Sequence, residues 1–228
     1  MQKIFKQLST LACAMCRYII TPSDERVYFN STTIAKGHHR VTYRGVQTTK
    51  CPFDYILYQM IVFELRPDLI IEIGTHHGGN ALYLADLMDI LGHGTVHSID
   101  RAQVAEKPVR EHSRIKLYTR GWENYEYDEA KQFSRIIVIE DSSHTYENTL
   151  AVLQKFAQLV PVGLYIIVED GIVTELGRAR EFNGGPLRAI NQFLKKDSGF
   201  VVDRWYSDFF GKNATFNPKG YLKRISIT

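Results

Sequence analysis

The sequence predicts an α/β protein built on a doubly wound, mostly parallel sheet with an antiparallel closing strand. Three apolar runs lead to that class: Leu69-Ile70-Ile71-Glu72-Ile73-Gly74, Arg135-Ile136-Ile137-Val138-Ile139-Glu140-Asp141 and Leu164-Tyr165-Ile166-Ile167-Val168-Glu169-Asp170. Their near-continuous apolar character suits strands buried on both faces. Segments of helical spacing alternate with them, the rhythm of a parallel sheet. Each run also carries a carboxylate at or near its C-terminal end, and ligands of open α/β sheets sit beyond those ends.

Taken in order, Pro52 opens a helix through Tyr55, Ile56, Tyr58, Ile61, Val62 and Leu65 that must stop before Pro67. The first core strand, Leu69 to Gly74, follows. Gly78-Gly79-Asn80 then leads into a helix from Ala81 to Met88. After Gly92 and Gly94 come a short strand, Thr95 to Asp100, a polar connection and a third strand, Arg114 to Thr119. The second half repeats the pattern with the strand to Asp141, a helix from about Tyr146 to Leu159 and the strand to Asp170. Gly184-Gly185-Pro186 opens a helix from Leu187 to Lys196, and Phe200–Trp205 and Tyr221–Ile227 read as closing strands. No repeat of fixed period and no low-complexity linker divides the chain. Residues 1–42 read as an N-terminal arm or lid, and 43–228 as one domain.

With 228 residues, 44% of them apolar, the chain can bury one substantial core. Its 28 basic and 25 acidic residues are dispersed, so the formal charge of +3 argues against nucleic acid as a partner. No stretch reaches the roughly 20 uninterrupted apolar residues of a spanning helix. Lys3 and Lys6 precede the run Leu11 to Cys16, which Arg17 interrupts, so residues 1–25 read as an amphipathic or loosely docked arm of a cytoplasmic protein. A membrane-surface role for that arm stays open. Cys13 and Cys16 have C-x-x-C spacing, but with only Cys51 as a further thiol they fit small apolar helix positions better than a zinc site.

The turn Glu72-Ile73-Gly74-Thr75-His76-His77-Gly78-Gly79-Asn80 outlines a nucleoside pocket. Its glycines let backbone pass close to a ligand and leave helix N–H groups free, and Asp100 can accept hydrogen bonds from ribose hydroxyls. The spacing is not G-x-G-x-x-G, and a purely structural turn is the alternative. Asp141 and the Glu169-Asp170 pair end two strands expected to be neighbours. Bare carboxylates so placed would repel, whereas a hard divalent cation, magnesium above all, accepts such ligands. Helix capping by one of the acids is the plainer reading. His144, three residues past Asp141, is positioned to take a proton from a hydroxyl at that ion. His76-His77 with a carboxylate would suit non-haem iron, although adjacent histidines project differently. Trp122, Tyr125 and Tyr127 line a substrate mouth or simply pack a loop.

These motifs, in this order, resemble the cephalosporin hydroxylase-type and rhamnosyl O-methyltransferase family. The resemblance runs from about Tyr43 onward and rests on Lys50-Cys51-Pro52-Phe53-Asp54 with Tyr58-Gln59, Pro67-Asp68 leading into Glu72-Ile73-Gly74 and Gly78-Gly79, and Asp141-x-x-His144. It continues in Val162-Gly163-Leu164-Tyr165 with Val168-Glu169-Asp170, Gly184-Gly185-Pro186 with Phe193-Leu194, and Gly220-Tyr221-Leu222-Lys223-Arg224. It implies a Rossmann-like class I methyltransferase sheet over 43–228, S-adenosylmethionine as donor contacted by Gly74, Gly79 and Asp100, and magnesium held by Asp141, Glu169 and Asp170. It also implies His144 as the base. The expected activity is metal-dependent O-methylation of a sugar hydroxyl in a glycan, glycolipid or glycosylated natural product, with self-association possible in principle. An oxygenase on the same scaffold, or a donor-binding subunit without catalysis, are the alternatives. The chain departs from the family pattern at Gly121-Trp122-Glu123, which leaves the acceptor open.

Overall fold

The computed structural model describes Pro22 and residues 25–27, 29–102, 104–197 and 199–227. The Cys13/Cys16 pair and most of the expected arm lie outside the described residues. Within the rest of that arm, helix α1 (Ser31–His38) starts at Asn30, whose side chain accepts from Thr33 N in a reciprocal capping box. A small hairpin of β1 (Thr42–Tyr43) and β2 (Val46–Gln47) follows.

Helix α2 (Pro52–Leu65) has Pro52 in its first turn and ends where Arg66 turns left-handed before Pro67. Strand β3 (Leu69–Ile73), helix α3 (Gly79–Leu91), strand β4 (Thr95–Ile99), the short helix α4 (Lys107–Arg110) and strand β5 (Ile115–Tyr118) form the first winding. Strand β6 (Ile136–Glu140), helix α5 (Tyr146–Phe156), strand β7 (Tyr165–Val168) and helix α6 (Gly185–Lys196) form the second. Strand β8 (Phe200–Val202), helix α7 (Arg204–Ser207) and strand β9 (Tyr221–Arg224) complete the element order. The expected strand to Trp205 stops at Val202 because the Asp203 carboxylate accepts from Trp205 N at 2.9 Å and caps α7.

The seven-stranded sheet has the order β5-β4-β3-β6-β7-β9-β8. β9 is antiparallel to both neighbours and the remaining pairs are parallel. Alternation along β3 sends Ile70 to one face, against Leu57, Ile61 and Leu82 of α2 and α3, and Leu69, Ile71 and Ile73 to the other, against α5 and α6 residues such as Val152, Phe156 and Ile190. A strand apolar on both faces is therefore what its position requires.

The chain winds outward in opposite directions from β3 and β6, so a crevice opens between their C-terminal ends. Register makes those ends level. Ile73 lies opposite both Ile99 and Glu140, and Glu140 lies opposite Val168. Gly74, Asp100, Asp141 and Glu169 are thus each the first residue beyond their strand. Among the described residues no helix is long and apolar enough to cross a membrane.

Candidate active site

Two clefts open over these strand ends. The first, about 260 Å³, is lined by Asp100, Arg101, Gly121, Trp122 and Asn148; the second, about 350 Å³, by His39, Thr49, Asn80, His144 and Asp170. Gly74, His76, Asp141 and Ser142 belong to both, so the clefts share one wall.

The first cleft has a carboxylate at its rim and an aromatic wall. Asp100 accepts from the backbone N–H of His76 at 2.9 Å and of Arg101 at 2.7 Å, which fixes its carboxylate at the rim. Trp122 donates its indole N–H to Asn148 Oδ1 at 3.1 Å, and Asn148 donates to Ser142 Oγ at 2.6 Å, so the aromatic wall is tied to helix α5. Tyr125, by contrast, is 2% exposed and packs into the core, and Tyr127 donates to Lys155 O at 3.0 Å. Of the three aromatics, Trp122 is the one that lines the first cleft.

The glycine turn serves chain packing as much as ligand approach. A Cβ on Gly74, where φ is +108°, would sit 2.0 Å from the Asp141 carbonyl oxygen, and one on Gly79 would sit 2.3 Å from the Thr48 methyl. Gly79 and Asn80 line the second cleft together with Thr75, whose hydroxyl pairs with Ser98 Oγ at 2.7 Å. Two expected donor contacts fall elsewhere. Gly78 backs onto Val109. Glu72 lies beneath the floor, accepting from Asn80 Nδ2 at 2.8 Å and Ser98 Oγ at 2.5 Å, with burial raising its carboxyl to about 7. Its part is to hold cleft residues in place.

Asp141, His144 and Asp170 converge in the second cleft, their ligand atoms all within 4.8 Å of one another. His144 Nε2 stands 3.3 Å from Asp170 Oδ2. Burial raises the Asp170 carboxyl, His144 opposes the rise, and repulsion from Asp141 adds to it. Such a cluster is short of positive charge, and its donors suit a divalent cation that keeps open positions for water or substrate oxygens. Backbone strain gathers here too: Thr49, His76, His144 and Asp170 all have φ between 47° and 57°. For β-branched Thr49 that conformation is a true outlier, of the kind functional sites retain.

Glu169, the third acid of the expected trio, is turned to the inner side of the cluster. It is level with Asp141 in the sheet, so both carboxylates meet the same intruder, the side chain of Lys50, which is 2% exposed. Lys50 Nζ donates to Asp141 Oδ2 at 2.5 Å and also pairs with Glu169 Oε2, while Tyr58 OH donates to Glu169 Oε1 at 2.6 Å. Burial alone would lower Lys50, but Asp141 and Glu169 outweigh it and hold the ammonium above its ordinary range. Both oxygens of Glu169 are therefore engaged on the inner side. Lys50 had no role in the reading by residue chemistry; its place in the motif Lys50-Cys51-Pro52-Phe53-Asp54 was the available signal.

His76 and His77 stack edge to face, centroids 4.2 Å apart, and neither joins a metal-competent group among the described residues. The iron reading thus has no ligand set at that turn. The second such group, Asp86, Asp89 and His112, is already engaged by Tyr43, Arg44 and Arg114.

A family model described as Rhamnosyl O-methyltransferase/CmcI matches residues 36–225. The chain belongs to this family. It is similar to the rhamnosyl O-methyltransferase of Mycobacterium tuberculosis, 27% identical in an alignment 230 positions long that covers 92% of this chain and 93% of the relative. The Mycobacterium leprae rhamnosyl O-methyltransferase is 26% identical in an alignment 216 positions long that covers 87% of this chain and 93% of the relative. Among solved structures, a CmcI apo form superposes with TM-score 0.67 at 21% identity, covering 92% of this chain and 84% of that one. A CmcI structure with Mg-SAM gives 0.63 at 22%, with the same two coverages. The O-methyltransferase NovP gives 0.56 at 15%, covering 79% and 82%. The fold is that of class I methyltransferases.

Proposed function

We propose that the chain is a metal-dependent O-methyltransferase that transfers a methyl group from S-adenosylmethionine to a sugar hydroxyl of a glycan, glycolipid or glycosylated natural product. The shared wall carries this reading. A cleft marked by Asp100 and an acid-lined cleft marked by Asp141, His144 and Asp170 meet at Gly74 and Ser142, an arrangement that would set donor and acceptor side by side. The mycobacterial relatives are named for rhamnosyl O-methylation, and a CmcI structure carries Mg-SAM.

Asp100 would accept from the donor's ribose hydroxyls, and Trp122 would offer its face to the base. Asp141, Glu169 and Asp170 would hold magnesium, with Lys50 beside them balancing the acids. A bound magnesium ion would orient an acceptor hydroxyl and its neighbour and lower the pKa of the one to be methylated. His144 is placed to receive the proton as the hydroxyl oxygen attacks the methyl carbon and the carbon–sulfur bond breaks. The acid wall and the strained turns fix the acceptor's approach, and in-line placement supplies much of the rate. Action in the cytoplasm, where the donor is made, is part of the proposal.

The test offers labelled donor and candidate glycans with and without magnesium, and locates the new ether by mass spectrometry. Asp141→Ala is expected to cut transfer by roughly a hundredfold or more while donor binding stays within a few fold. Full transfer in excess chelator would refute the metal role. Donor binding with no glycan methylated would favour a non-catalytic subunit, and iron with oxygen-dependent turnover would favour an oxygenase.

A further inference from the structure

A strip of aromatic side chains runs over the surface and takes no part in either cleft. Ring contacts join Phe29 to Phe53 at 5.2 Å between centroids, Phe53 to Phe210 at 5.1 Å, Phe210 to Phe209 at 5.0 Å and Phe209 to Trp205 at 5.9 Å. Four of these five rings stand well out of the protein, Phe29 and Trp205 each 64% exposed, Phe210 46% and Phe209 40%. Ile56, three positions past Phe53 on α2 and itself 46% exposed, widens the strip. Exposed apolar side chains scattered singly need no explanation, whereas a contiguous run of this length marks a surface with a partner. The strip is also held in shape, because Tyr206, buried beside Trp205, donates to Glu64 at 2.8 Å and so fixes α7 to α2. None of the six side chains lines the clefts over the strand ends.

The charge of the adjoining chain decides what fits this face. Residues 1–21 contain Lys3, Lys6 and Arg17 and no acid, while 22–228 hold 25 basic against 25 acidic residues. The whole formal charge of +3 therefore belongs to those first 21 residues. Their sequence, rich in apolar residues as well as basic, leads through Pro22 to Phe29, the first ring of the strip. A second copy docked face to face would bring a second positive segment beside the first, and like charges oppose that. An anionic lipid surface attracts the segment and accepts the rings.

We propose that the aromatic strip is a membrane-docking face, with its rings seated at the head-group level of an anionic lipid surface and Lys3, Lys6 and Arg17 supplying the electrostatic attraction. Aromatic side chains suit that depth, where apolar chains meet polar head groups. Neither signal is enough alone, since stable attachment without a spanning helix takes an apolar contact and a basic one together. Each basic residue close to an anionic surface strengthens binding about fivefold, so three give on the order of a hundredfold.

The experiment sediments the full chain with vesicles of phosphatidylcholine, alone or mixed with phosphatidylserine, and repeats the mixed set with brominated acyl chains. Wild-type protein is expected to bind the mixed vesicles on the order of a hundredfold more tightly than the neutral ones, and to lose that preference in high salt. Replacing the three cations together, Lys3→Gln/Lys6→Gln/Arg17→Gln, should remove the same preference. Phe209→Ser/Phe210→Ser should weaken binding about tenfold or more while the Tm stays within about 2 °C of wild type, since both rings are exposed. Bromine should quench tryptophan emission in the wild type and not in Trp205→Phe, where Trp122 is the remaining tryptophan. Should the double variant fail to fold, the quenching in wild type and Trp205→Phe decides. Wild-type protein that ignores mixed vesicles overturns the proposal, as does binding that is unchanged in Phe209→Ser/Phe210→Ser or that leaves Trp205 unquenched. A wild-type dimer in light scattering that the double variant turns into a monomer, with no vesicle binding, gives the face to a second copy and overturns it too. No readout involves methyl transfer, so failure here leaves the proposed activity standing.

Discussion

Glu169 and Asp170 are neighbours in sequence and face different surroundings, because one step along the chain past β7 passes from the level of Asp141 to a left-handed turn at φ 57° that aims Asp170 at His144. The sequence shows which strand ends carry acids, and Gly74, Asp100, Asp141, His144 and Asp170 all reach the crevice it implies. It does not show which carboxylate a distant cation will claim: Lys50 and Asp141 are 91 positions apart. His97 poses the same difficulty. Its neighbours in β4 mark a buried strand position, but only the fold supplies Tyr125 OH, 2.8 Å from its Nδ1. Burial lowers His97 from 6.5 to about 4, so the unfolded chain binds a proton that the folded chain refuses between those values. The stability involved is complete above pH 6.5 and is lost as pH falls toward 4. His97→Gln keeps an acceptor for Tyr125 and removes the proton uptake. Urea denaturation at pH 7 and pH 4.5 is expected to show the wild-type loss between them shrinking by about 2–3 kcal/mol in the variant.

At the scale of elements, α2 is joined to the C-terminal loop by one buried side chain. Asp54, in the first turn of α2, accepts from Phe216 N at 3.1 Å and Tyr221 OH at 3.1 Å and also from the Thr215 hydroxyl. Burial pushes its carboxyl up to about 6, and those three donors oppose the rise. Asp54→Ala would leave all three without an acceptor in a dry site, at a cost of roughly 3–5 kcal/mol in urea unfolding, with hydrogen exchange at the Phe216 amide rising toward that of an open loop. The elements themselves were largely legible, because helical spacing, Pro52, Pro67 and the double-sided apolar runs are local signals. The end of β8 was not, since Val202 and Trp205 look alike as strand residues until the Asp203 cap is seen. Nor was the pairing of Asp54 with Tyr221, 167 positions away.

For the molecule as a whole, both clefts lie at one end of the sheet, and the opposite end is loops such as those at Gly92–Gly94 and Pro161–Gly163. Binding of S-adenosylhomocysteine is expected to slow hydrogen exchange in 74–80, 100–101 and 121–122 and to leave 92–94 and 161–163 unchanged, as read by mass spectrometry. Protection spread evenly over both ends would speak against a site at the strand termini.

β9 follows β8 in the chain yet lies between β8 and β7, so the edge of β7 has no lasting neighbour until residues 221–224 arrive. On the ribosome the parallel strands β3 to β7 emerge first, with an unpaired flank on a growing sheet. A nascent chain stalled before Tyr221 should thus be the species that chaperones hold, and release of those four residues the event that closes the sheet and seats the last donor on Asp54.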